Sequence, residues 1–106
     1  MNEVAELTRR LVETPSHDDE SDVTEYVADW LRRETDADVE VDAAHNVTAT
    51  RGSPDVALVG HHDVVPPADS QVEDGVPVCR ERDGRLYGRG TADMKGALAA
   101  GMLAFR

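Results

Sequence analysis

Lysine is almost absent from this chain. Of 11 basic residues among 106, only Lys95 is a lysine, and the other ten are arginines. Acids outnumber bases, 22 to 11, for a formal net charge of −11. Such a field repels nucleic acid and anionic membranes over most of the surface, so neither is expected as a partner. Cysteine is nearly as scarce. Cys79 stands alone, which excludes an intrachain disulfide and suits a reducing cytoplasm. With one Trp, two Tyr and one Phe, any core must be aliphatic. No apolar run approaches the roughly 18 residues of a membrane-spanning helix. The opening Met1-Asn2-Glu3 lacks the basic-then-apolar pattern of a secretory signal, so the expected location is cytoplasmic.

What is present fits one small globular unit. A chain of 106 residues has room for one domain with a modest core. Its acids are interleaved with apolar residues at regular spacing, which argues against disorder. An Asp-rich, Lys-poor surface suits concentrated salt, which screens self-repulsion. A halophilic source is the expectation.

The pattern along the chain alternates helices and short strands. Asn2 to Glu13 reads as an amphipathic helix, with Val4, Leu7, Leu11 and Val12 at helical spacing. Pro15 ends it. His17 to Ser21 reads as a polar loop with His17 solvated. A second helix is expected from Asp19 to Glu34, buried through Val23, Tyr26, Val27, Trp30 and Leu31. Val39-Glu40-Val41 and Asn46 to Thr50 alternate like half-buried strands. Val56 to Gly60 is continuously apolar and reads as a central strand. Gly52-Ser53-Pro54-Asp55 reads as a hairpin turn joining those last two. Pro66 to Ser70 is a loop. Asp83-Gly84 is a two-residue hairpin signal between Val76–Arg82 and Arg85–Tyr87. From Met94 an Ala/Leu/Met-rich helix is expected. The order predicts an α/β domain whose later strands are missing.

Two segments carry chemistry. Gly60-His61-His62-Asp63-Val64-Val65-Pro66 follows the apolar run. Alternate side chains on a strand share a face, so His61 and Asp63 point one way and His62 the other. A metal-bound imidazole commonly needs a carboxylate or carbonyl on its other nitrogen, and His-x-Asp supplies both pieces. Gly60 permits a close approach that a side chain would block. Further on, Gly88-Arg89-Gly90-Thr91-Ala92-Asp93-Met94-Lys95-Gly96 places a second carboxylate in a glycine-rich turn before a helix. Asp93 also reads as that helix's N-cap, and the two roles are compatible. Neither a dinucleotide fingerprint nor a phosphate-binding Walker loop is completed here. Cys79 has no ligand-spaced neighbour and reads as a small buried residue. His45 reads as solvated, and His62 as packed or hydrogen-bonded.

Together with Leu11-Val12-Glu13-Thr14-Pro15-Ser16 and Asn46-Val47, the two long motifs make the chain resemble a family of dinuclear zinc amidohydrolases. That family includes succinyl-diaminopimelate desuccinylase, acetylornithine deacetylase, aminoacylase and carboxypeptidase G. The resemblance implies the N-terminal part of a zinc-peptidase-like catalytic domain, with helices packed on a mixed sheet, over residues 1–106. It implies that His61 ligates zinc, that Asp63 orients its imidazole as a catalytic accessory, and that Asp93 bridges two metals. The Asp93–Met94 peptide bond is typically cis in relatives. Two zinc ions are implied, with cobalt or manganese as substitutes. The implied substrate is a small N-acyl amino acid or dipeptide, and the parent protein is a possible homodimer. The chain departs from the pattern at Gln71 to Val78, where the family carries Trp and Phe. The glutamates and late histidine that complete the family's site, general base included, are not among these 106 residues. The lid or dimerisation domain is likewise outside them. Alone, the chain is therefore expected to be inactive. The alternative is a non-catalytic remnant or half domain needing a partner chain.

Overall fold

The computed structural model describes residues 2–106. Helix α1 spans Glu3–Glu13. Asn2 starts it by accepting the Ala5 N–H on its side-chain oxygen at 2.9 Å. Glu3 and Glu6 in the first turn and Arg10 in the last complement the helix dipole. Pro15 cannot continue the ladder, and Thr14 closes the end with its N–H on the Leu11 carbonyl. Helix α2 spans Ser21–Glu34, two residues shorter at its start than the pattern suggested. Asp19 stays outside the helix and accepts from the Ser21 N–H and hydroxyl at 2.8 and 2.6 Å.

Strands β1 (Asp38–Val41) and β2 (Val47–Thr50) form an antiparallel hairpin, with Val39 opposite Ala49 and Val41 opposite Val47. Val39, Val47 and Ala49 pack against the helices, as their alternation implied. Asp42 braces the connecting loop by accepting from the Ala44 and Asn46 backbone N–H groups. Two further hairpins follow, β3 (Val72–Glu73) with β4 (Val76–Pro77), and β5 (Arg80–Arg82) with β6 (Arg85–Tyr87). Helix α3 spans Gly96–Phe105 and packs on α1. The core is Leu7 and Leu11 from α1, Val23, Val27, Trp30 and Leu31 from α2, and Ala99 and Met102 from α3. An α/β architecture is thus observed, with each of the three strand pairs antiparallel.

Several expectations need correction. Val56 to Gly60 forms no strand and pairs with none among the described residues, and Val56, Leu58 and Val59 are 77%, 62% and 89% exposed. Gly52–Asp55 is a bend and not a hairpin turn, because β2 takes β1 as its partner. The Gln71–Val78 stretch, read as an altered loop, holds the β3–β4 hairpin. Its turn is Asp74-Gly75, both with positive φ (50° and 80°). That is the same dipeptide signal that marks the β5–β6 turn at Asp83-Gly84. His17 is half-buried and not solvated, with its Nδ1 enclosed and unpartnered among the described residues. His45 is half-buried as well.

Candidate metal centre

The two motif segments meet. His61 lies just beyond the apolar run, and Asp93 lies in a tight turn at Thr91–Lys95 that precedes α3. That turn forms because Gly90 takes a left-handed conformation (φ 92°) that side chains resist. Thr91 then bonds back to the Gly88 carbonyl through its N–H and hydroxyl, and the Lys95 N–H reaches the Gly90 carbonyl at 2.7 Å. Asp93 and Met94 are non-helical within the turn, and their peptide bond is cis, as in the family the sequence resembles. Asp93 is not the helix N-cap, a position occupied by Lys95. The Asp93 side chain is left free to project from the turn, 88% exposed.

His61 Nε2 stands 3.0 Å from Asp93 Oδ1, across 32 residues of sequence. Its other nitrogen, Nδ1, is 3.1 Å from the Asp63 carbonyl and 3.2 Å from the Asp63 carboxylate. Both Nδ1 partners are acceptors, so Nδ1 carries a proton and donates it. Burial works to lower the His61 pKa, but the Asp63 carbonyl and the two carboxylates outweigh it and raise the pKa above 6.5. The ring is thus held between two acids, which favour its protonated form. His62 points away, as its position in the run implied. Its Nε2 lies 2.9 Å from the His45 carbonyl and 3.2 Å from Thr24 Oγ1, so it is packed against the hairpin loop.

Side-chain contacts zip the two segments together. A Cβ on Gly60 would lie 2.9 Å from the Met94 methyl, so the glycine lets the two segments approach closely. The His61 N–H donates to Met94 Sδ at 3.4 Å. A Cβ on Gly90 would meet Val64 Cγ1 at 2.7 Å. Beneath them lies a residue that motif reasoning did not single out. Lys95 is 1% exposed, and its ammonium donates to Ser16 Oγ at 2.7 Å and to the Thr14 carbonyl at 3.1 Å. Burial lowers its pKa to about 8. The available signal was compositional, since the chain places its single lysine beside Asp93.

His61 Nε2 and Asp93 Oδ1 offer two ligands of the type that zinc accepts. Their 3.0 Å separation is within the span of two ligands each about 2.1 Å from one ion. Asp63 on Nδ1 completes the usual carboxylate–imidazole arrangement behind a metal. Among the described residues no group of three or more His, Cys, Asp or Glu is placed to hold a metal. Nor is any helix among them long and apolar enough to cross a membrane.

Comparison with known proteins covers both segments. The profile of Peptidase family M20/M25/M40 matches residues 57–106. Succinyl-diaminopimelate desuccinylase of Xylella fastidiosa (strain M12) is 37% identical over 110 residues, covering 98% of this chain. The enzyme of the same name from Bordetella avium (strain 197N) is 41% identical over 113 residues, again across 98% of the chain. LysW-lysine hydrolase of Deinococcus radiodurans is 38% identical over 96 residues, covering 88% of this chain and 24% of that protein. The chain spans 29% of the length of the two desuccinylases.

Proposed function

Because the chain belongs to peptidase family M20/M25/M40, we propose that the protein containing it is a metal-dependent amidohydrolase that releases the amine from an N-acyl amino acid. The names of its relatives, a desuccinylase and a lysine hydrolase, support hydrolysis as the reaction class. The observation that carries the reading is the meeting of His61 Nε2 and Asp93 Oδ1 at 3.0 Å, each from a different motif.

In this reading His61 and Asp93 hold the metal, zinc by preference and cobalt or manganese in its place. When bound, such a metal supplies polarisation of the amide carbonyl and a water of lowered pKa. The residues of this chain do the rest of the positioning. Asp63 keeps the proton on His61 Nδ1, so that Nε2 is the nitrogen presented to the metal. Asp93, on an exposed turn, would be the carboxylate shared between two metals. The exposure of His61 and Asp93, 47% and 88%, leaves that side open to ligands and substrate. The rest of the catalytic domain, a lid domain and a homodimer are proposed on the same ground, the family membership.

The test is hydrolysis of N-succinyl and N-acetyl amino acids by the protein containing this chain, with and without chelator. His61→Ala and Asp93→Asn should each reduce turnover by more than about a hundredfold, and Asp63→Asn by about 10- to 100-fold. Hydrolysis that survives both chelation and Asp93→Asn would defeat the proposal.

A further inference from the structure

The two ligand-bearing segments share one anchor that belongs to neither. Ser16 is fully buried, two residues beyond the Thr14 cap of α1. Its carbonyl accepts the Val64 N–H at 3.3 Å, one residue after Asp63. Its hydroxyl accepts from Lys95 Nζ at 2.7 Å, two residues after Asp93. The same ammonium donates to the Thr14 carbonyl, so both segments are tied to the loop Thr14-Pro15-Ser16. Gly90 lies between them, with room for no Cβ beside Val64 Cγ1 and the Lys95 stem. The loop itself is held at the end of α1, which packs on α3. The anchor is therefore tied to the core.

We propose that Ser16, acting with Lys95, is a positioning residue for the metal centre: it sets the register of the His61–Asp63 segment against the Asp93 turn. The inference rests on the functional reading above for its purpose, but not for its geometry. Satisfying a buried ammonium would need only acceptors, anywhere in the core. Here one serine reaches both segments at once, through two different atoms. A change there moves His61 Nε2 relative to Asp93 Oδ1 without touching either. The apolar run before His61 has no strand partner among the described residues that could hold it in place instead.

The experiment compares Ser16→Ala with the double variant Ser16→Ala/Lys95→Met. The single variant leaves the ammonium one acceptor short. The double variant removes both partners and so leaves no buried charge unsatisfied. Three readouts are taken: the urea midpoint, Co²⁺ affinity, and imidazole ¹H–¹⁵N spectra of His61 in the metal-free protein. Ser16→Ala should lower the midpoint, displace the His61 resonances and weaken Co²⁺ binding by about 10- to 100-fold, the range for lost outer-shell support. In the double variant the midpoint should recover while Co²⁺ affinity and the His61 resonances do not. Recovery of affinity along with the midpoint would reduce Ser16 to a stability role and overturn the proposal. If the wild-type protein takes up no Co²⁺, the functional reading fails, and the metal-free spectra decide the clamp alone. His61 signals unmoved in Ser16→Ala would then overturn it, and displaced signals would support it.

Discussion

Helix α1 and the run Val56–Val59 are both rich in aliphatic residues, yet they meet opposite fates. Leu11 and Val12 of α1 are at most 1% exposed, whereas Val56 and Val59 are more than three-quarters exposed. Hydrophobicity does not separate them, because a valine in either place gains the same from leaving water. The difference is in what each needs as a partner. A helix buries one stripe, and α1 finds α2 and α3 to cover it. A continuously apolar strand needs bonded neighbours and covered faces, and the described residues supply Val56–Val59 with no strand at all. Since His61 lies two residues beyond that run, its placement is set by contacts with the Asp93 turn and the Ser16 loop.

The largest effect should come from testing that contrast at its two extremes. Leu11→Ala removes a fully buried side chain and should cost about 2–5 kcal/mol in urea unfolding. Val59→Ala, at 89% exposure, should change stability by no more than about 0.5 kcal/mol. A costly Val59→Ala would show that the run is covered in solution, and the comparison would collapse.

The next effect probes the join between the segments. Gly90→Ala meets two obstacles, a φ of 92° and a Cβ 2.7 Å from Val64 Cγ1. Together these should cost about 2–3 kcal/mol. In Gly60→Ala the one tight contact is with the Met94 methyl, the mobile end of a flexible side chain, at 2.9 Å. Its cost should stay below about 1 kcal/mol. Thermal melts of the two variants order them, and equal costs would mean that the Val64–Gly90–Lys95 contact is looser than it stands here.

What could be read in advance follows the same division. Both long helices were legible because their spacing is a local property, and Pro15 and Thr35 mark ends within one turn of those expected. The Asp83-Gly84 hairpin was legible for the same reason, and Asp74-Gly75 carries an equal local signal. The run at Val56–Gly60 has the composition of a strand but forms none, because strand pairing depends on a partner that local sequence does not name. At the site, His61, Asp63 and Asp93 stood out through their motifs. The Ser16–Lys95 bond did not, since it spans 79 residues and neither residue type is a metal ligand. An isolated lysine in an arginine-rich chain was the one hint. A buried, fully charged guanidinium would have filled that place more bulkily than a compact ammonium.

Lys95 also offers the smallest and most specific test of how tightly the buried side of the centre is closed. The unfolded chain keeps its lysine proton up to about 10.5, whereas burial makes the folded chain release it near 8. Across that window the unfolded state binds more protons, so stability rises with pH, and the penalty of the buried charge is greatest below 8. From about pH 8 to about pH 9 the gain should be about 1 kcal/mol. Lys95→Met has no such proton to lose, and its stability should lack this increment. Other groups titrate in the same range, but they do so in both proteins, and the difference between two urea series cancels them. A wild-type curve that runs parallel to that of Lys95→Met would mean that water reaches the ammonium. The contrast between a closed floor under Asp93 and an open face above it would then be lost.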